Sequence, residues 1–63
     1  MDCVAVLYYW NGSMAELPIK SDWIDDIVSA VDGQYTYIDK EKNLCIKGEN
    51  IMKVDIYRRN NET

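Results

Sequence analysis

The first third of the chain has the pattern of a β-hairpin. The segment from Val4 to Trp10 is rich in β-branched and aromatic residues, and Asn11-Gly12 follows it directly. Asn-Gly between two apolar segments is a strong signal for a two-residue hairpin turn. Such a turn would pair Trp10 with Ser13 and, further along, Val4 with Ile19.

This register gives the hairpin two apolar faces. A strand with one solvated face would carry polar residues on that side. Pro18 cannot donate a ladder hydrogen bond, so the second strand is predicted to be an edge strand or to end near this residue. The predicted core face holds Val4, Val6, Tyr8, Trp10, Ala15, Leu17 and Ile19, and the opposite face holds Cys3, Ala5, Leu7, Tyr9, Met14, Glu16 and Pro18.

The next segment has helical periodicity. Ser21 is a good N-cap for a helix over residues 22–32, and Gly33 is expected to supply the left-handed residue that ends it. Apolar residues recur at helical spacing on one side, and acidic residues occupy the other side. The apolar stripe consists of Trp23, Ile24, Ile27, Val28 and Val31.

Three short strands are predicted after the helix, over Gln34–Asp39, Leu44–Lys47 and Ile51–Arg58. The last two are expected to pair through a three-residue turn with Asn50 in the left-handed conformation. That turn sets Ile46 opposite Met52, apolar against apolar, whereas a two-residue turn would set an apolar residue opposite Lys53.

These elements predict an α+β domain over residues 1–59, in the order β-β-α-β-β-β, with an antiparallel sheet packed by one helix. Residues 60–63 are expected to form a flexible tail. A single short helix covers one face of a sheet, so the second apolar face of the hairpin needs another cover. A second copy of the chain, contacting Ala5, Leu7, Tyr9 and Met14, is the first solution, and curling of the sheet into a small barrel is the competing one.

Charge is unevenly distributed along the 63 residues, whose net charge is −4. Residues 1–39 carry seven acids and one base, whereas residues 40–63 carry four acids and six bases. This balance argues against direct nucleic-acid binding, which favours a basic protein. The acidic face of the helix, formed by Asp22, Asp25, Asp26 and Asp32, is interpreted either as a solvated surface or as a surface that docks on a basic partner.

Catalytic chemistry has little basis in the sequence. The chain has no histidine, the commonest general base and metal ligand, so neither a catalytic site nor a metal or cofactor is predicted. Asp22 and Asp26 are spaced to share a cation, but a solvated helix face explains them as well. Cys3 and Cys45 are too few for a structural zinc site and are expected to be reduced apolar fillers, with a disulfide between them as the alternative.

The surplus of tyrosine and tryptophan is the most unusual feature of the composition: five Tyr and two Trp occur with no Phe. These side chains suit half-buried interface positions, because each combines an apolar body with a polar group. Core packing is the alternative explanation. The candidate binding set, which could stack on a base or anchor a protein and pair with phosphates or carboxylates, is Tyr9, Trp10, Tyr35, Tyr37, Tyr57, Arg58 and Arg59.

Three segments together give the chain a resemblance in style to small acidic accessory proteins of bacteriophages and prophages. They are the hairpin VLYYWNGSMAEL, the acidic helix SDWIDDIVSAV and the closing strand NIMKVDIYRR. The resemblance spans the whole chain and includes no specific motif. It implies a counter-defence role, in which such proteins occlude a host enzyme, mimic nucleic acid or sequester a nucleotide messenger.

The leading hypothesis is therefore a non-catalytic binding protein, acting as a small homo-oligomer, that inhibits or sequesters a host protein or a nucleotide-like ligand. An acidic nucleic-acid mimic, presenting the helix carboxylates and Asp39 to a basic groove, is one alternative. A structural or assembly subunit is the other. The N-terminal residues show no signal peptide and no apolar run is long enough for a membrane span, so we expect a cytoplasmic location, in the host cell if the protein is phage-encoded.

Overall fold

The computed structural model describes residues 1–59, so the predicted tail, residues 60–63, lies outside the described residues. The α+β class is confirmed. Short 3-10 turns precede the helix and the last strand, at Ser21–Trp23 and Gly48–Asn50. The main elements are β1 (Cys3–Tyr9), β2 (Met14–Ile19), α1 (Ile24–Gly33), β3 (Thr36–Asp39), β4 (Leu44–Lys47) and β5 (Ile51–Arg58).

The strands form two antiparallel sheets rather than one. A three-stranded sheet has the order β2-β1-β5, so the first and last strands of the described chain are neighbours. The second sheet is the β3-β4 hairpin. Both sheets are open, so the alternative of a small closed barrel does not describe residues 1–59. Helix α1 and the β3-β4 hairpin contribute to one core with the inner face of the larger sheet.

The turn of the first hairpin is one residue longer than predicted. Tyr9 N–H donates to the Ser13 carbonyl at 2.9 Å, and Gly12 N–H donates to the Tyr9 carbonyl at 3.0 Å. Gly12 has φ of +94°. A β-turn followed by a glycine at positive φ is the common three-residue hairpin loop, and Asn-Gly fits it as well as the two-residue loop.

The longer loop reverses the predicted faces of β1 but not those of β2, where Leu17 and Ile19 lie toward the core as predicted, because a one-residue slip turns the side chains of one strand over relative to its partner. Cys3 pairs with Ile19, and Ala5 with Leu17. Cys3, Ala5 and Leu7 are consequently buried in the chain's own core. The predicted core face of Val4, Val6 and Tyr8 was therefore wrong for β1.

The predicted oligomer interface is also corrected by this placement. Ala5 is 0% exposed and Leu7 is 5% exposed, because both lie beneath the sheet in the same core as Ile27. Tyr9 is half-buried and packs against that core. Only Met14 is exposed, so the four residues do not form an accessible surface in the structure.

The predicted apolar stripe is confirmed in part: Trp23 in the 3-10 turn and Ile27 and Val31 in α1 are buried, Ala30 joins them, and Val28 is 39% exposed. Its start differs, because Ser21 opens a 3-10 turn and makes no side-chain cap. Ser21 N–H instead donates to Asp2 Oδ1 at 2.9 Å. No helix within residues 1–59 combines the length and apolarity that a membrane span requires.

Helix α1 ends at Gly33, and the left-handed residue that follows it is Gln34, whereas Gly33 was predicted to supply that conformation. Gln34 has φ of +55°, a left-handed conformation that is unusual for a residue with a side chain. Its side-chain amide Nε2 donates to the carbonyls of Val31, Gly48 and Ile51 at 2.7 to 3.1 Å. We infer that these hydrogen bonds, which a glycine could not make, offset the cost of the left-handed backbone.

The predicted pairing of β4 with β5 was wrong. The 3-10 turn Gly48–Asn50 separates the two strands, and β5 pairs with β1 instead. Asn50 does not have positive φ; among residues 1–59 the non-glycine residues that do are Gln34 and Asn43. A bulge occurs where Tyr8 pairs with Lys53 and Tyr9 with Ile51, leaving Met52 without a partner on β1. The extra residue shifts the alternation of side chains between the two faces of β5. Ile51 and Val54, three positions apart, therefore both point toward the core.

Candidate functional site

The predicted binding set of aromatic and arginine residues does not gather at one place. Trp10 is 60% exposed beside the hairpin turn, and Tyr57 is 55% exposed on the outer face of β5. Tyr37 is half-buried in an ion-pair cluster. Tyr9 is half-buried and lines a pocket together with Trp10, Tyr35 is exposed after α1, and Arg58 and Arg59 are exposed at the end of β5 next to Tyr57.

Trp10 stands at one end of a cleft between α1 and β5. Its indole Nε1 donates to Gln34 Oε1 at 3.3 Å, so the amide that closes the helix also orients the ring. The cleft has a volume of about 390 Å³ and is open to solvent. Its walls are Trp10, Val28, Val31, Asp32, Gln34, Met52, Lys53 and Val54.

The predicted acidic face is interrupted by a lysine. Lys42 Nζ lies 3.3 Å from Asp26 Oδ2 and 3.4 Å from Asp39 Oδ2, and it donates to the Tyr37 hydroxyl at 3.0 Å. The hydrogen bond to Tyr37, followed by the two carboxylates, raises the pKa of Lys42 above its usual value. Asp26 and Asp39 are therefore partly neutralised, and Asp22, Asp25 and Asp32 are the predicted acidic residues left without an ion pair within residues 1–59.

Asp39 organises the turn between β3 and β4. Its Oδ1 accepts the backbone N–H groups of Glu41 and Lys42 at 3.0 and 3.1 Å, and its Oδ2 accepts the Tyr37 hydroxyl at 3.2 Å. The backbone hydrogen bond from Lys42 is the main reason that the pKa of Asp39 is lowered from 3.8. Sequence reasoning placed Asp39 only in a possible nucleic-acid mimic and did not find this role.

Because the folded state lowers the pKa of Asp39, this carboxylate contributes stability that is present above pH 3.8 and is lost as the pH falls through the lowered value. We expect Asp39→Asn to reduce stability at pH 7 and to flatten the loss of stability on acidification below pH 4. Urea unfolding at several pH values measures both effects. The matched control is Asp25→Asn, because the Asp25 side chain makes no hydrogen bond or ion pair within residues 1–59; an equal response of the two variants would contradict the assignment.

Within residues 1–59, no second layer packs on one face of the larger sheet. Alternate residues of β1 point away from the core, and the paired residues of β2 and β5 point the same way. We call this the open sheet face. Its nine residues are Val4, Val6 and Tyr8 on β1, Met14, Glu16 and Pro18 on β2, and Lys53, Asp55 and Tyr57 on β5.

The open sheet face is apolar along its centre and charged beside it. Val6 lies between Glu16 and Asp55 in the neighbouring strands and is only 6% exposed. Lys53 Nζ lies 4.8 Å from the centre of the Tyr8 ring and 3.8 Å from Asp55 Oδ2. The sequence indicated two apolar faces on this hairpin, but the register error assigned the wrong residues to the uncovered one.

The two cysteines are both free thiols, so the alternative of a disulfide between them is wrong. Cys3 is a buried filler, as predicted. Cys45 is exposed, because β4 turns Leu44 and Ile46 toward the core and the intervening residue outward. Within residues 1–59, no three His, Cys, Asp or Glu side chains converge on a point where they could hold a metal ion.

Comparison with known proteins gives no relative for this chain: no family model matches it, and neither a curated protein nor a solved structure is significantly similar.

Proposed function

We propose that this chain is a non-catalytic binding protein that attaches to a protein target through the open sheet face and thereby inhibits or sequesters it. The observation that carries the proposal is the apolar centre of that face. Outward residues of a solvated sheet face are usually polar, yet all three on β1 are Val or Tyr. Met14 and Tyr57, both 55% exposed, extend the apolar surface onto the flanking strands.

The charges on this face indicate the chemistry of the target. Asp55 already has Lys53 nearby, whereas Glu16 has no cation within 4 Å in the described part of the chain. A target with apolar side chains against Met14 and Tyr57 and an arginine or lysine beside Glu16 would complement the surface. The net charge of −4 also favours encounter with a basic surface.

A protein target has more support than a nucleotide-like ligand. Small-molecule sites are usually concave and enclose most of the ligand. The aromatic residues proposed to stack on a base are spread over the surface, and the cleft beside Trp10 is open. A broad face with Tyr, Met and Val at its centre and charges around it has the composition of a protein interface.

The nucleic-acid mimic has less support than a sheet-face binder. A mimic needs a continuous array of negative charge, but Lys42 lies between Asp26 and Asp39 and holds both. The ring of Trp23 also lies 5.9 Å from this ammonium group, which helps to fix it in place. The remaining carboxylates of the helix are explained as a solvated surface.

The proposal places the protein in the cytoplasm. Two free thiols, one of them exposed at Cys45, suit a reducing compartment. The resemblance in style to phage accessory proteins adds that the target is a protein of the host cell.

The test is affinity capture from a lysate of the producing cells with four forms of the chain: the wild type, two variants of the open sheet face and one control variant. Tyr57→Lys and Met14→Lys place new charges on the open sheet face, where both side chains are exposed. Ile38→Lys is the matched control, because Ile38 is 63% exposed on β3, away from this face. We expect a target that the wild type and Ile38→Lys retain and that both face variants lose.

Binding of the purified target then gives the size of the effect. We expect each face variant to weaken binding at least tenfold, about 1.4 kcal/mol, which is typical of an interface residue that carries binding energy. Nucleotides added in a thermal-shift assay test the small-ligand alternative. Equal binding by all four forms, or a nucleotide-dependent stabilisation without a protein target, would contradict the proposal.

A further inference from the structure

Strand β5 has an unpaired edge along most of its length. Arg59 N–H donates to the Asp2 carbonyl at 2.9 Å. This hydrogen bond shows which residues of β5 point their backbone N–H and C=O groups toward β1. In an antiparallel pair every second residue makes these bonds, so Tyr57, Asp55 and Lys53 point their backbone groups toward β1. The backbone groups of Val54, Ile56 and Arg58 therefore point outward, and no other group of residues 1–59 hydrogen-bonds to them.

The other edge of the same sheet is protected. Tyr9 N–H donates to Ser13, so by the same alternation Met14, Glu16 and Pro18 point their backbone groups away from β1. Pro18 has no N–H to offer, which is a common way to block pairing at an edge. Strand β5 is longer, with eight residues against six, and contains no proline.

We propose that a second copy of this chain pairs with this edge, β5 against β5, in an antiparallel register centred on Val54. In this register Val54 lies opposite Val54 of the second copy, and the two exchange a pair of backbone hydrogen bonds. Lys53 lies opposite Asp55 of the second copy on the open sheet face. Because the dimer is symmetric, Asp55 also lies opposite Lys53 of the second copy, which gives two ion pairs. Met52 lies opposite Ile56 of the second copy on the helix side.

The charges select this register over its neighbours. In an antiparallel pair, a residue whose backbone N–H and C=O point toward the partner strand must lie opposite another such residue. These residues alternate along β5, so the two-fold axis must pass through a residue and not between two residues. An axis at Lys53 or at Asp55 would set like charges directly opposite each other, which is destabilising. An axis at Ile56 would set Lys53 opposite Arg59, again two cations. The axis at Val54 is the one that brings opposite charges together.

The cleft between α1 and β5 provides room for the second copy. Met52 lines the cleft together with Val28 and Val54, and its volume is about 390 Å³. Ile56 is half-buried against its own core, so in the second copy it would contact Met52 at the edge of the cleft. Met52 is 47% exposed in the single chain, and this contact would cover it.

The second copy leaves the open sheet face free and enlarges it. Pairing of the β5 edges joins two three-stranded sheets into one of six strands, with both open sheet faces on the same side. This inference does not depend on the proposed target, because the pairing uses the outward backbone groups of β5, whereas the target would contact side chains of the open sheet face. Lys53 and Asp55 belong to both surfaces, so the separate measurement uses Val54, which does not lie on the open sheet face.

Two single variants and their mixture give the sharpest test. Lys53→Asp sets a new carboxylate opposite Asp55 of the second copy, and Asp55→Lys sets two lysines opposite each other. We expect each variant alone to dimerise at least about tenfold more weakly than the wild type, since two symmetry-related pairs change from attraction to repulsion. An equimolar mixture of the two should form a heterodimer, because every charge then meets its opposite. Sedimentation equilibrium with a reductant, which keeps Cys45 reduced, measures all three.

A second variant tests the backbone pairing directly. Val54→Pro removes the central outward N–H, and we expect it to be monomeric while circular dichroism shows it folded. A wild type that stays monomeric at millimolar concentration, or a mixture no more associated than its components, would overturn the proposal and leave the edge to a segment of another protein. Target capture by Val54→Pro reports on the open sheet face separately, because Val54 does not lie on it.

Discussion

Replacing Gly48 by alanine should be among the most damaging single-methyl changes in this protein. A Cβ atom there would overlap the backbone carbonyl of Ala30 in helix α1 and lie 2.6 Å from the Tyr35 carbonyl oxygen. Backbone atoms cannot rotate away, and Gly48 N–H is itself bonded to Tyr35 at 3.0 Å. We expect Gly48→Ala to lower the free energy of unfolding by at least about 3 kcal/mol, the upper end of overpacking.

Gly12→Ala is the control for this experiment. Gly12 has φ of +94° but nothing lies within 4 Å of its added Cβ, so only backbone strain of about 1–2 kcal/mol is expected. Urea unfolding followed by tryptophan fluorescence compares the two variants. Equal losses at Gly48 and Gly12 would mean that the helix and the 3-10 turn are not in the close contact described.

Ile27→Asp should unfold the domain. Ile27 is 0% exposed at the centre of the apolar stripe of α1, in the same core as Ala5 and Ile51. No buried polar or charged residue lies among the described residues to pair with a new carboxylate. Burying an unpaired charge costs several kcal/mol, against a total stability of about 5–15 kcal/mol.

Val28→Asp makes the same chemical change one residue later. Val28 is 39% exposed, so its aspartate remains solvated and the loss should be within about 1 kcal/mol. Circular dichroism and chemical unfolding distinguish the two outcomes. A folded Ile27→Asp domain with a cooperative transition would show that the buried face of the helix is assigned incorrectly.

The elements that depend on local pattern were predicted well. The apolar stripe of α1 and the strands Leu44–Lys47 and Ile51–Arg58 follow from periodicity and turn residues that lie within a few positions of each other. The hairpin failed at its turn, because Asn11-Gly12 is compatible with loops of two or three residues. The hydrogen bond from Tyr9 to Ser13 distinguishes the two loops, and the difference of one residue exchanged the two faces of β1.

Features that depend on distant contacts could not be read from the chain. The pairing of β5 with β1 joins residues more than 40 positions apart, and local pattern favoured pairing β5 with its neighbour β4. Gln34 holds the left-handed position because its amide reaches three carbonyls, one of them on Ile51. The bulge at Met52 could not be predicted either, because a bulge is defined by the pairing of β5 with β1, which is itself a distant contact.

The candidate site was only partly visible for the same reason. The sequence predicted an apolar hairpin face that needs a cover, but the residues of β1 assigned to it, Ala5, Leu7 and Tyr9, lie in or against the chain's own core, because the residues on each face follow from the register. The ion-pair cluster needs Asp26 and Lys42, 16 positions apart, to meet at Tyr37. No spacing rule for a single helix or strand would bring these three residues together.

The neighbouring positions of β1 and β5 have a consequence for how the chain folds during synthesis. Strand β1 is made first, yet the strand on one of its two sides consists of residues 51–58. Until those residues leave the ribosome, that side of β1 has no partner, so an N-terminal fragment cannot complete the core. Pairing over so long a loop also slows folding relative to a helical domain of equal size.

The contact between Asp2 and Arg59 further means that a short linker between them would allow the chain to be circularly permuted at the Gly12 turn.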